Sequence, residues 1–99
     1  MNSIASIALS GMNATMLGMR TAAHNIANLQ TGNFRRQVVE HQAQAEGGVA
    51  TSVAQAPQVG HSPAEDLVQQ RTAGYLFKAN LLVLQTERQM LGSVLDVLA

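Results

Sequence analysis

Apolar positions recur with a helical period at both ends of this chain, and the stretch between them alternates instead. Over residues 3–28, Leu9, Met12, Met16, Met19, Ala23 and Ile26 step by three and four, which predicts a first helix with a heptad seam. Beside that seam runs a row of small residues, Ala8, Gly11, Thr15, Gly18 and Ala22, while Asn2, Ser6, Asn13, Arg20 and His24 make the polar face. A small row is a groove, which lets another backbone come close. Bulky residues at Gly11 or Gly18 are therefore expected to block assembly and to leave the isolated chain soluble. The two glycines also weaken the helix, by about 1 kcal/mol each relative to Ala. An isolated helix of this length is marginal in water, so the first helix is expected to fray until another packs on it. The methionine stripe has two readings, plain core packing or an adaptable subunit contact, because unbranched thioether side chains fill irregular gaps. The two merge if the core is shared between chains.

The second helix is expected over 62–98. Ser62-Pro63-Ala64-Glu65 is a start signal. The Ser62 hydroxyl can accept from the Glu65 amide, the Glu65 carboxylate can reach back, and Pro63 sits where a missing N–H costs nothing. No proline follows, so the helix can run about 36 residues, roughly 54 Å. Phe77, Leu81, Leu84, Arg88, Leu91, Leu95 and Leu98 form one seam, interrupted at Arg88, and Leu76, Val83, Met90, Val94 and Val97 lie beside it. The polar face, Arg71, Lys78, Gln85, Gln89 and Asp96, is narrow. Apolar positions then cover about 200° of the circumference, twice the stripe of an ordinary surface helix. Such a helix needs at least two neighbours.

Between the helices, Asn28 is read as a left-handed cap and Gly32-Asn33 as turn chemistry. Val38-Val39 centres one extended segment, Gly47-Gly48 makes a tight turn, and Val49, Thr51 and Val53 alternate with Ala50, Ser52 and Ala54. This predicts a β-hairpin within 34–56. A lone hairpin is barely stable, so it should lean on the helices or on another chain. The expected fold is mainly α: two long antiparallel terminal helices, coiled-coil-like, with a small β-hairpin between them, in a single domain over 1–99. Each helix keeps an uncovered apolar row, the mark of an interaction surface.

Composition narrows the functions. With a formal charge of zero and 12% charged residues, the chain has no basic footprint for nucleic acid and little resistance to self-association. It has no cysteine, hence no thiol chemistry. Neither a Sec-type signal nor a membrane span is expected at the amino terminus, since it lacks a basic stretch and its apolar residues are broken by Ser3, Ser6, Ser10 and Asn13. His24, His41 and His61 lack metal-ligand spacing and read as solvated; Ser62 is accounted for by capping, and Glu65 and Asp66 complement the helix dipole. No cofactor, metal or catalytic residue is expected. The side chains of Asn25 and Asn28 can bond the backbone of the Gln30–Phe34 turn, or make contacts across subunits. Arg88 is either splayed to solvent or paired with an acidic residue, including one of another chain.

Asn25-Ile26-Ala27-Asn28-Leu29-Gln30-Thr31-Gly32-Asn33-Phe34-Arg35-Arg36 resembles the N-terminal signature of the flagellar basal-body rod and hook protein family, as does Leu9-Ser10-Gly11-Met12-Asn13-Ala14 before it. Tyr75-Leu76-Phe77-Lys78-Ala79-Asn80, Leu84-Gln85-Thr86 and Met90-Leu91-Gly92 are similar to its C-terminal helix motif. The resemblance covers roughly residues 4–37 and 67–98, about two-thirds of the chain. Gly32-Asn33-Phe34 stands where the family usually has Pro-Gly-Tyr, and the segment between the helices is short, which fits a minimal rod-like paralogue. The resemblance implies a structural subunit, not an enzyme, that self-assembles through its terminal helices into an axial tube. It further implies partnership with itself and with other flagellar axial proteins, as a homo-oligomer, and a place in the periplasmic rod of the basal body, reached through the flagellar type III apparatus without a cleaved signal. The motif and contact residues it marks are Gly11, Met12, Met16, Gly18, Asn25, Asn28, Thr31, Phe34, Phe77, Ala79, Asn80, Leu84, Met90 and Leu91. The alternative is another secreted helical-hairpin assembly protein, a needle-like subunit or export substrate.

Overall fold

The computed structural model describes residues 3–98 as α1 (Ile4–Ala27), β1 (Gln37–Ala43), β2 (Val49–Gln55) and α2 (Pro63–Leu98). The mainly helical class, the order of elements and the helix ends agree with the periodicities. Asn2, assigned to the polar face, lies outside the described residues. α1 opens on a cap, Ser3 Oγ accepting from the Ser6 amide at 3.1 Å. Its C-cap, Asn28, has φ −102° and ψ 19°, so the left-handed cap expected there is corrected. The left-handed residue is Asn33, φ 56°, in the turn that follows; asparagine tolerates that region better than most residues. The reciprocal capping box at α2 is also replaced. The Ser62 hydroxyl donates to Glu65 Oε2 at 3.0 Å, and the same carboxylate oxygen lies 3.8 Å from Arg36 Nη1.

The helices pack antiparallel in a seven-residue register. Asn25 bonds Asp66 at 3.2 Å; a Cβ at Gly18 would stand 3.7 Å from that of Ala73, and one at Gly11 would stand 2.8 Å from Asn80 Oδ1. Each seven-residue step along α1 is matched by seven back along α2, and the next step sets Ile4 level with Glu87. The α1 seam is thus the small row, Ala8, Gly11, Thr15, Gly18 and Ala22, ending in Asn25, and all of it is buried or half-buried. Facing it on α2 are Asp66, Gln70, Ala73, Phe77, Asn80, Leu84 and Glu87, again buried or half-buried.

Both seams differ from those read from the leucines and methionines. On α1, Met12, Met16, Met19 and Ile26 lie half-buried on the flank, and Leu9 and Ala23 are exposed. On α2 only Phe77 and Leu84 of the expected seam face α1; Leu81 is half-buried beside them, and Arg88, Leu91, Leu95 and Leu98 are exposed. The reason is steric. Where two backbones approach closely, the seam takes glycine, alanine and threonine, and larger side chains are displaced to the sides.

The hairpin is antiparallel and in unbroken register, Gln37 opposite Gln55 through Ala43 opposite Val49. Its turn is a five-residue loop, 44–48, in which Gly47 and Gly48 take φ 100° and 88°. Those glycines also lie close on α1, where a Cβ would come within 2.9 Å of Ile7 Cδ1 and 2.7 Å of Ser10 Oγ respectively. The strands pack on α1 and not on α2. Two side chains tie them there at opposite corners. Asn25 exchanges two bonds of 2.8 Å with the backbone of Gln37, and Ser10 Oγ accepts from the Val49 amide at 3.1 Å. Ser10 and Asn25 are about 22 Å apart along a helix, close to the roughly 23 Å of a seven-residue strand. The hairpin is a strap cut to the length of α1.

Because Gly11 and Gly18 lie inside the chain's own seam, substitution there acts on the isolated molecule first. Gly11→Leu should destabilise the monomer by about 1–3 kcal/mol through overpacking, and the loss should shrink on an Asn80→Ala background. Thermal unfolding followed by circular dichroism reads this as a double-mutant cycle; strictly additive losses would show that the two residues do not press on each other.

Candidate assembly interface

Where the strap begins and α2 starts, four residues converge. Asn25 and Asp66 are the largest fully buried side chains in the described chain, each 1% exposed. A buried carboxylate must be paired, and Asp66 is paired by Arg36, whose Nε donates to Oδ2 at 3.2 Å and whose Nη2 donates to Oδ1. The amide of Asn25 donates to both Asp66 Oδ1 and the Gln37 carbonyl, while its oxygen accepts from the Gln37 N–H. The Asp66 hydrogen bond, with the charges of Asp66 and Glu65, raises the Arg36 pKa above the ordinary arginine value, against the opposing cost of burial. This node fastens α1, α2 and β1 together and leaves no acid, base or nucleophile unengaged.

The rest of the α1 exit is local. Asn28 Nδ2 donates to the His24 carbonyl at 2.8 Å, and the Thr31 hydroxyl donates to Asn28 Oδ1 at 3.0 Å. The Phe34 ring lies between His24 and His61, each with its centroid 5.6 Å away, His61 stacked and His24 tilted. Two histidines read as merely solvated therefore flank an aromatic ring, though both stay exposed. Asn25 differs more from expectation: it bonds the start of β1 and α2, not the Gln30–Phe34 turn. Among the described residues, no group of three or more His, Asp or Glu side chains is placed to hold a metal ion.

The other end of the molecule is bare. α2 outruns α1 by about twelve residues, roughly 18 Å, and along it Leu91, Val94, Leu95, Val97 and Leu98 are exposed, the last two to 86% and 77%. Where α1 begins, Ile4, Val83, Met90 and Val94 line an open apolar groove of about 490 Å³. Glu87 lies on its wall with Oε2 buried and without a hydrogen-bond partner among the described residues. Arg88, beside it, is exposed and forms no ion pair among the described residues.

The marked residues therefore divide. Gly11, Gly18, Phe77, Asn80 and Leu84 belong to the intramolecular seam, with Met12 and Met16 on its flank. Asn25, Asn28, Thr31 and Phe34 organise the α1 exit. Thr31, Ala79, Met90 and Leu91 are exposed. Sequence reasoning missed Arg36 and Asp66. The available signal was that Asp66 falls in the α2 start, where it was credited to the helix dipole, and follows Ser62-Pro63-Ala64-Glu65 by one residue. No helix among the described residues is long and apolar enough to cross a membrane. Comparison with protein-family models gave no match, and neither did a search of curated proteins. Fold and site together define a two-helix hairpin strapped by a β-ribbon, with an apolar helix end left over.

Asp66→Ala should cost about 3 kcal/mol, the low end for breaking a buried pair, since Arg36 is 14% exposed and can rehydrate. The pH test is sharper. A raised cationic pKa stabilises at all pH below the unfolded value and loses that contribution as pH rises through the folded one. For Arg36 this window lies above any working pH, so the arginine end adds no pH dependence up to pH about 10. Arg36→Lys should bring the loss down to pH about 10.4 and above. Urea denaturation of both proteins from pH about 9 to about 11.5 checks it, and equal alkaline sensitivity in both would remove the node's role.

Proposed function

We propose that this chain is a structural subunit of the bacterial flagellar basal-body rod, which catalyses no reaction and assembles through its terminal helices into an axial tube. The resemblance of Asn25–Arg36 and of the Tyr75–Gly92 segments to the rod and hook family supports the identity. The observation that carries the mechanism is the face left bare where α2 outruns α1. Burying a Leu or Val side chain contributes about 1.5–3 kcal/mol, while association costs about 4–15 kcal/mol. Single side chains do not meet that cost; the face must be covered as a unit, by another copy or by another axial protein. Covering it against a different patch of the neighbour gives a head-to-tail contact that does not close, the requirement for a tube. The unpartnered Glu87 oxygen is a group that a neighbour's donor would satisfy. On this reading the chain is exported to the periplasmic rod by the flagellar secretion system.

Sedimentation across a concentration series, with circular dichroism on the same samples, tests the mechanism: head-to-tail growth into species longer than a pair should rise with concentration and be lost in Val94→Glu, with helicity kept. A dilute, fully helical monomer that never associates would sink it. Recovery of the chain in basal bodies from a strain with a working flagellar export system, and not from one without, tests the identity.

A further inference from the structure

The hairpin carries a second unmet demand, independent of the helix face. The Ala56 amide donates to the Arg36 carbonyl and the Gln44 amide to that of Gly48, both in the register of the strands. In an antiparallel ladder this assigns the inward groups. Val38, Glu40 and Gln42 face Ala54, Ser52 and Ala50, and the odd-numbered residues turn their N–H and C=O outward. At two corners α1 uses those outward groups, Asn25 on Gln37 and Ser10 on Val49. The outward groups of Thr51, Val53 and Gln55 on β2, and of Val39, His41 and Ala43 on β1, have no such partner among the described residues.

We propose that the β2 edge pairs with β2 of a second copy of this chain, about a two-fold axis at Val53, to make a four-stranded antiparallel sheet. Val53 then faces its own counterpart, and Thr51 faces Gln55 of the second copy. Each of the three residues exchanges N–H and C=O across the join, and Val49, already engaged by Ser10, is left out. Natural sheet edges are guarded by charges, prolines or bulges. The β2 sequence, Val49–Gln55, has no charged residue and no proline, and its register has no bulge. β1 is guarded: a self-pairing that uses its three free residues brings Glu40 within two positions of the other Glu40, where like charges repel. A second copy fits the β2 edge because the join is self-complementary. Val53, 42% exposed, meets another Val53, and a chain of zero formal charge sets up little repulsion between copies. The contact is closed and two-fold, unlike the open one proposed for the helices.

The chain has no cysteine, so single-cysteine variants are clean probes. Under mild oxidation Val53→Cys should give a disulfide-linked dimer, and His41→Cys, on the β1 edge, should stay monomeric. On a Val94→Glu background, which silences the helix face, Val53→Lys should abolish the dimer in sedimentation with an unchanged circular dichroism spectrum. Thr51→Pro should do the same, because its amide serves no ladder bond and proline is tolerated at such a position. Val94→Glu, which alters only the helix face, should leave the Val53→Cys cross-link yield as it was. The proposal is overturned if the Val94→Glu chain shows no dimer, if a folded Val53→Lys variant of that chain still dimerises, or if the helix-face substitution alone removes the cross-link.

Discussion

The close approach of two backbones along a seven-residue register governs this molecule. Gly11 and Gly18, with Ala8, Thr15 and Ala22 between and beside them, leave α1 without bulky side chains along most of the face it turns to α2. A seam of that kind gains little from hydrophobic transfer. Among the described residues the buried apolar ones are four alanines and Leu84, and alanine offers little apolar area to remove from water. Dispersion between closely spaced backbones supplies part of the attraction, but it does not select one register over a slip of one turn. Asn80 supplies some of that selectivity, because its amide fits only where α1 has no Cβ.

The rest comes from the node. Asn25 ends the seam on α1 and, with the same amide, opens the ladder edge of β1, so helix register and strap position are set by one side chain. A buried Asp66 contributes little net stability when paired and costs heavily when not, which makes it a means of specificity rather than of strength. Shifting α2 by a turn would leave Asp66 without Arg36 and Asn25 without its carboxylate. At the far corner Ser10 does for the strap what Asn25 does at the near one. A two-stranded ribbon that would be marginal alone is thereby held on a helix that is itself marginal alone.

The architecture was legible because it depends on periodicity and punctuation: Ser3 and Pro63 begin helices, Gly47 and Gly48 turn the hairpin, and the two apolar periods do not overlap. The seam was less legible, although its residues were all visible as a row. Reading hydrophobicity as burial favours Leu and Met over Gly and Ala, and here steric closeness, which hydropathy does not measure, decided which row was inside. The node was hidden for a related reason. Asp66 and Asn25 are polar, and only the equal steps, Asn25 seven residues on from Gly18 and Asp66 seven back from Ala73, reveal that they face each other. Residues at the bare end of α2 gave the opposite case, since Leu91, Leu95 and Leu98 continue a leucine seam by sequence but have no α1 beside them.

That mismatch follows from the seam itself. A helix of 24 residues is paired with one of 36, and the register tied at Asn25 and Asp66 fixes which end is left over. Anchoring at the chain's own connection sends the whole surplus to the distal end of α2, away from the strap. Because the seam is filled by small residues, the large ones of both helices fall on flanks and on the overhang, where the chain has no further element to cover them. The strap cannot help, since its length is spent spanning Ser10 to Asn25. The uncovered apolar surface is therefore a geometric consequence of folding this sequence through glycine and alanine, and it is concentrated on one end rather than scattered. A surface so placed would add length if covered, as the proposed assembly requires of a molecule 63 Å by 25 Å by 13 Å.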